Sequence, residues 1–255
     1  MKSPYLFTFI IAYKHRADRI HNLRRVLDWV SGFGGVEVII VEQDDKPRLD
    51  SFTTKGIKYV FTKSEELFNK AWSFNVGLKF ATTDVIVFGD CDLIMDPQKM
   101  IESLKMLEYY ECVSPYNRVI DLTQQEANLP IEQLQNINRP GRGETDIQKI
   151  CLAGGIIMYR REAIMKIGGW CEDFIGWGGE DDFQSHKSKM MLNWFEQPNT
   201  TCYHLWHDRG APEQAPYQRN LQLLNKLVAM PVDELRKYSN ANMAKNGLVN
   251  KYDSK

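Results

Sequence analysis

Three near-continuous apolar runs limit what this chain can fold into. Tyr5 to Ala12 reads YLFTFIIA, Val36 to Val41 reads VEVIIV, and Asp84 to Gly89 reads DVIVFG. Runs rich in β-branched and aromatic residues, without a sustained polar face, belong to strands covered on both sides. Between the first two, Ile20, Leu23, Val26, Leu27 and Val30 recur at helical spacing until Gly32-Phe33-Gly34-Gly35 stops the helix. Ile57 to Phe61 reads as a further strand. Strand, helix, strand in this order predicts an α/β fold with a mostly parallel central sheet flanked by helices and right-handed crossovers. Ligands of such sheets sit beyond the carboxyl ends of the strands. The chain places Tyr13-Lys14-His15-Arg16, Glu42-Gln43-Asp44-Asp45 and Asp90-Cys91-Asp92 there.

Downstream, Glu65 to Ala81 reads as an amphipathic helix, Pro97 to about Glu108 as another, and Cys112 to Pro115 as a strand. A Gln-rich helical piece over Thr123 to Asn136 leads into Arg139 to Lys149, a loop of the kind that closes over active sites. Ile150 to Tyr159 (ICLAGGIIMY) is an apolar strand whose Gly154-Gly155 admits a close neighbour. A short helix follows over Arg161 to Ile167, then a helix from Asp181 to about Leu192 and a short strand over Trp194 to Gln197. From Tyr217 onward, two amphipathic helices break near Pro231, and the polar tail after Asn246 is expected to fray. There is no internal repeat and no linker that divides the chain.

The 255 residues, 43% hydrophobic, suffice for a substantial core. A formal net charge of -1 gives no general pull toward nucleic acid, which is not expected as a partner. Five cysteines without CxxC spacing read as reduced thiols of an intracellular protein. The first apolar run is too short to span a membrane. The expectation is a cytoplasmic protein, free or resting on the inner face of a membrane.

Four clusters carry chemistry. The stretch from Gly168 to Phe183 (GGWCEDFIGWGGEDDF) surrounds Glu180, Asp181 and Asp182 with glycines and tryptophans. Glycine weakens helix and strand alike, and a tryptophan offers a flat apolar wall of the kind that covers a sugar ring. The plainer reading is a helix start whose acids the helix dipole favours. Asp90-Cys91-Asp92 can converge two carboxylates on a hard cation that bridges diphosphate oxygens, or can be an ordinary strand end. His204 and His207, at i and i+3, can share a Mn²⁺ or Zn²⁺, which imidazole suits better than it suits Mg²⁺; alternatively they are surface histidines. In Phe68 to Gly77 (FNKAWSFNVG), Lys70 and Asn75 are placed to face phosphates or a base while Phe68, Trp72 and Val76 pack inward.

In this order, FNKAWSFNVG, Asp90-Cys91-Asp92, AGGIIMYRREAIMKIGGW and FIGWGGEDDF resemble the β-1,4-galactosyltransferase type of glycosyltransferase and its relatives among chondroitin and capsule polymerases, the family 2/7 type. The similarity runs from about Tyr5 to Arg209. It implies a GT-A nucleotide-diphospho-sugar transferase fold over residues 1–215. The donor half would cover about 1–120 and the acceptor half 121–215, with 216–255 a helical segment packed on them. Asp92 would be the direct Mn²⁺ ligand (or Mg²⁺), with Asp90 beside it, His207 the metal-binding histidine, and His204 a ligand where the galactosyltransferases carry methionine.

By the same resemblance, Tyr13, Lys14 and Arg16 would hold the nucleotide, though the family loop is proline- and arginine-rich where this chain has Ala12 and Lys14. Glu42 would lie near the uridine, Lys70 near the phosphates, and Gly155 on the donor side. Asp181 would be the catalytic base and Glu180 a ligand for sugar hydroxyls. Trp177, with Gly178 and Gly179, would form the acceptor platform, leaving Asp182 as the helix cap. The segment from Arg139 to Lys149, or the glycines around Trp177, would close over the donor. The implied reaction is an inverting transfer of a galactose, N-acetylgalactosamine or glucose type sugar from a UDP-sugar to a glycan or glycolipid acceptor, serving polysaccharide or glycoconjugate assembly. Two alternatives are a sugar nucleotidyltransferase, which wants a glycine-rich loop where Tyr13-Lys14-His15-Arg16 stands, and a non-catalytic glycan- or nucleotide-binding module.

Overall fold

β1 (Phe7–Tyr13) is buried at every position, so it needs partners on both edges and layers on both faces. The computed structural model, which describes residues 3, 6–49, 56–142, 153–208, 213–243 and 245–252, supplies both. After β1 come α1 (Ile20–Ser31), β2 (Val36–Asp44), β3 (Ile57–Lys63), α2 (Lys70–Phe80), β4 (Val85–Gly89), β5 (Leu93–Met95), α3 (Pro97–Met106), β6 (Cys112–Ser114) and β7 (Arg118–Asp121). The second half holds α4 (Ile131–Leu134), β8 (Ile156–Arg160), α5 (Arg161–Lys166), α6 (Glu180–Met191), β9 (Trp194–Glu196), β10 (Thr201–His204), α7 (Gln214–Val228) and α8 (Val232–Met243).

Seven strands form one sheet in the order β3-β2-β1-β4-β8-β6-β9. β1 lies parallel between β2 and β4, β3 extends the sheet in parallel beyond β2, and β9 is parallel to β6. Only β8 is reversed, antiparallel to both β4 and β6. The sheet is therefore mostly parallel, as the sequence implies. A buried strand carries the same apolar run whichever way it points, so the reversal of β8 leaves no mark in the pattern.

A second sheet, β5-β10-β7, has no counterpart in the sequence reading. Its strands of three or four residues are too short for a periodicity and exist through their pairing. That pairing sets His204, at the end of β10, opposite both Leu93 and Asp121.

The core has two layers. On one face of the main sheet, Leu23, Val26 and Val30 of α1 pack with Phe9, Ile11, Met95 and Tyr203. On the other, Trp72, Phe74, Trp170 and Phe183 pack with Ile10, Phe88 and the C-terminal Leu227 and Leu235. α2 lies against β1 so closely that a Cβ on Gly77 would stand 2.3 Å from Ile10 Cγ2.

Several boundaries differ from expectation. α2 begins at Lys70 and not at Glu65, because buried Gln43 takes the backbone ahead of it, donating to the Leu67 carbonyl at 3.0 Å and accepting from the Asn69 N–H at 2.7 Å. Nor is α2 amphipathic, since every residue from Ala71 to Leu78 is buried. Thr123 to Asn136 is helical only over a 3-10 turn and α4. The strand expected from Ile150 starts at Ile156, and residues 143–152, with most of the expected Arg139 to Lys149 closing loop, lie outside the described residues. Arg209 does as well. The tail is not frayed over residues 245–252, where side chains and backbone bond to α2 and the Gly168 turn. Cys91, Cys112, Cys171 and Cys202 are free thiols. Among the described residues no helix is long and apolar enough to cross a membrane.

Candidate active site

β4 ends at Gly89, and the next turn brings Asp92 back toward the small sheet, where the Leu205 N–H donates to the Asp92 carbonyl at 2.8 Å. The buried Asp92 carboxylate meets His207 Nε2 at 3.2 Å and His204 Nε2 at 3.9 Å. The far nitrogens of both rings are engaged elsewhere: His207 Nδ1 with the Asp208 carbonyl at 2.9 Å, and His204 Nδ1 with the Asp121 carboxylate at 3.4 Å. An imidazole anchored through Nδ1 with Nε2 directed at a carboxylate is the arrangement of a metal-ligating histidine with its outer-shell partner. Ligand atoms of Asp92, His204 and His207 all lie within 4.8 Å of one another. One carboxylate with two imidazoles fits a divalent cation of the Mn²⁺ type better than Mg²⁺. Burial acts to raise the Asp92 pKa, but the His207 hydrogen bond and the His204 and Arg19 charges outweigh it and hold the group well below the usual carboxylate range. A cavity of about 300 Å³ opens beside this group, walled by Trp206, Leu122 and the two histidines.

Arg19, whose Nη1 lies 3.4 Å from Asp92 Oδ2, was not singled out in the sequence. It stands as one arginine at the start of α1 and no motif marks it.

The second acidic group sits at the start of α6. Gly179 is the N-cap residue at φ +90, and a Cβ there would press within 2.8 Å of the Phe174 ring, so glycine is required for the turn. The turn presents Glu180 and Asp181 to Lys70, the first residue of α2. Lys70 Nζ lies 2.8 Å from Asp181, 3.3 Å from Glu180 and 3.6 Å from Asp90. Burial pushes the Asp181 carboxyl up to about 8, with Glu180 and Asp90 adding to the rise and Lys70 opposing it. Burial pulls Lys70 down, but the charges of Asp181, Asp90 and Glu180 outweigh it and hold the ammonium well above its ordinary value. The N-cap of α6 is Gly179 and not Asp182 as expected; Asp182 occupies the first helical turn, where the helix dipole favours it.

Trp177 is 64% exposed and its ring leans on Tyr217 of α7, with centroids 5.3 Å apart at 37°. α7 also fastens the turn, since Asn220 Nδ2 donates to the carbonyls of Ile175 and Trp177 and Arg219 donates to that of Ile175. Gly178 lets the Tyr217 ring lie 3.0 Å from where its Cβ would be. Tyr217 was missed because it lies in a helix read only as C-terminal packing.

The expected nucleotide contacts are more dispersed. Tyr13 is the last residue of β1, buried, with its hydroxyl 3.4 Å from His15 Nδ1. Lys14 donates to the Glu66 carbonyl at 3.0 Å, and Arg16 pairs with Asp18 and reaches the Asp208 carbonyl at 3.2 Å. Glu42 is fully buried; Oε2 accepts from Tyr59 Oη at 2.6 Å and the Arg48 N–H at 3.0 Å, while Oε1 has no hydrogen-bond partner among the described residues. At Gly155, φ +103, the close neighbours are Leu93 and Tyr116, and its carbonyl accepts the Asp90 N–H at 3.1 Å. Asn75 faces no open site: it donates to the Trp170 carbonyl and Glu172, both at 2.9 Å.

Two acidic groups thus stand at the carboxyl end of a mostly parallel sheet, one pairing Asp92 with two imidazoles and one holding a carboxylate of raised pKa. Residues 8–168 match the family described as glycosyl transferase family 2, and residues 145–204 match the N-terminal domain of galactosyltransferase. The chain belongs to glycosyl transferase family 2 and is a glycosyltransferase by that family membership. A human relative, chondroitin sulfate N-acetylgalactosaminyltransferase 2, is 26% identical over 196 residues, covering 71% of this chain and 35% of the relative, so the chain spans about a third of that protein. The structure is similar to that of GalNAc-T7 with UDP, GalNAc and Mn²⁺, at a TM-score of 0.64, 14% identity and coverage of 94% of this chain and 55% of the other. It is also similar to the mannosyltransferase PcManGT of Pyrobaculum calidifontis in complex with GDP-Man and Mn²⁺, at a TM-score of 0.52, 15% identity and coverage of 96% and 76%. These likenesses establish the GT-A fold.

Proposed function

We propose that the chain transfers a sugar from a UDP-sugar to a hydroxyl of a glycan acceptor with inversion at the anomeric carbon, and that Asp181 is the base. The observation that carries this reading is the junction at Lys70, which touches Asp181, Glu180 and Asp90 at once, two residues from Asp92. This junction supports reading the base and the metal-ligand set as one site. A carboxylate with a pKa of about 8 is a stronger base than an ordinary aspartate, with about a tenth of it ionised at pH 7 and about half at pH 8. Asp181 would take the acceptor proton as that oxygen forms a bond to the anomeric carbon and the bond to the UDP oxygen breaks. Asp92, His207 and His204 would hold a Mn²⁺-type cation, whose chemistry is to offset charge on the departing diphosphate. Glu180 would bind sugar hydroxyls. Trp177, with Tyr217 leaning on it, would cover the acceptor ring. The human relative and GalNAc-T7 make N-acetylgalactosamine the first donor to try.

The test is a panel of UDP-sugars with Mn²⁺ or Mg²⁺ and glycan acceptors, with the product anomer read by NMR. Inversion of the α-linked donor to a β-linked product is expected, and Asp181→Asn is expected to abolish transfer while sparing UDP binding. A retained configuration, or transfer that survives Asp181→Asn, would overturn the assignment.

A further inference from the structure

Glu172 is a buried carboxylate that the transfer chemistry leaves unused. It lies between the Gly168 turn and the Gly176–Gly179 turn, and its side chain is 3% exposed. Oε1 accepts from Asn75 Nδ2 at 2.9 Å and from the Gly247 N–H at 2.5 Å, and Oε2 takes the Lys251 ammonium at 2.7 Å. A carboxylate this deep needs such partners, and losing one leaves a buried charge uncompensated. Its donors come from two places far apart in the chain, the middle of α2 and the C-terminal segment.

The same segment closes over the start of α2. Trp72 Nε1 donates to the Leu248 carbonyl at 2.8 Å, and its ring meets Tyr252 edge-on at 4.8 Å. Asn69 caps α2, its Oδ1 accepting from the Trp72 N–H at 2.9 Å, while its Nδ2 donates to the Glu172 carbonyl at 2.8 Å and reaches Tyr252 Oη at 3.3 Å. The residue after this cap is Lys70. Resting on the transferase reading above, we infer that Glu172 and Lys251 are positioning residues. Their ion pair clamps residues 245–252 onto the first turn of α2 and so sets Lys70 among Asp181, Glu180 and Asp90. Among the described residues the clamp's bonds run to α2 and to the stretch around Glu172, away from Asp92 and His207, so it acts on the base half of the site and not on the metal half.

The experiment compares Lys251→Met and Lys251→Arg in the full chain. It reads amide exchange over the first turn of α2 and over β1, the kcat of sugar transfer, and the Kd for UDP with Mn²⁺. In Lys251→Met, protection at the α2 turn is expected to fall about tenfold with β1 unchanged, kcat to fall about tenfold, and Kd to stay within about twofold. Lys251→Arg, which keeps the ion pair, is expected to restore both. Protection and kcat within twofold of the parent in Lys251→Met would overturn the clamp. So would an equal loss over α2 and β1, which marks general destabilisation. Should the parent chain transfer no sugar, the transferase reading fails, and exchange at α2 still decides the clamp: unchanged protection refutes it, selective loss sustains it.

Discussion

Replacing Lys70 with Met separates two roles that the site allows for this residue. Its ammonium lies 2.8 Å from Asp181, and the Coulomb attraction at that distance is about 6 kcal/mol with an effective dielectric of about 20. Converted at 1.36 kcal/mol per unit, that is roughly four pKa units. The Asp181 side chain is 25% exposed, and solvent screening cuts the effect to about two units. Lys70 pulls Asp181 down, so its loss raises the base from about 8 toward roughly 10. A base acts in its ionised form: at pH 7.5 about a quarter of Asp181 is ionised in the parent and about 0.3% in the variant. The expected loss in kcat/KM is therefore about 80-fold at pH 7.5, shrinking to about fourfold at pH 9.5 as the variant ionises. A pH profile of kcat/KM under a fixed Mn²⁺ concentration, with UDP affinity measured by calorimetry alongside, reads both. A loss that is the same at every pH, together with UDP affinity weakened tenfold or more, would refute the reasoning. Lys70 would then serve the phosphates, as the family resemblance implies.

Other parts of the structure set outcomes of their own. Asp121→Ala removes the carboxylate that anchors His204 Nδ1 at 3.4 Å, and Mn²⁺ affinity measured calorimetrically without nucleotide is expected to weaken 10- to 100-fold; unchanged affinity would exclude His204 as a ligand. Gly77→Ala puts a methyl 2.3 Å from Ile10 Cγ2 and 3.3 Å from Val41 Cγ2, at an expected cost of about 2 kcal/mol in urea unfolding; an unchanged midpoint would contradict the packing of α2 on β1. Hydrogen bonds from Arg139 hold Glu126 at about 2, below its usual 4.5, so this pair stabilises the fold above pH 4.5 and the contribution is lost as pH falls toward 2. Arg139 is 37% exposed, and with that screening Arg139→Ala is expected to cost about 1 kcal/mol at pH 7 and clearly less near pH 2, read by unfolding at both.

The parts of the fold legible in the sequence are those whose signal is local. β1, β2 and β4 announce themselves because a strand covered on both faces has no polar face to show, and α7 and α8 because each keeps one. The acids and histidines at the strand ends were legible as types and spacings, and the structure brings Asp92, His204 and His207 together, and Lys70 to Asp90, Glu180 and Asp181. What was not legible depends on pairing across the chain. β5, β7 and β10 are too short to carry a period, yet they place His204 against Asp121 and beside Asp92. Arg19, Tyr217 and Lys251 reach the site or its supports from helices and a tail that look like surface in one dimension. The distribution has a physical consequence. The half proposed to hold the metal hangs from the small sheet and the half proposed to hold the base from the starts of α2 and α6, and among the described residues the two meet where Asp90 and Asp92 follow β4. Short strands and a polar tail contribute little stability of their own, so their geometry is set by the buried charges they enclose. The carboxylates of Asp92 and Glu172 therefore fix the site's shape as well as its charge.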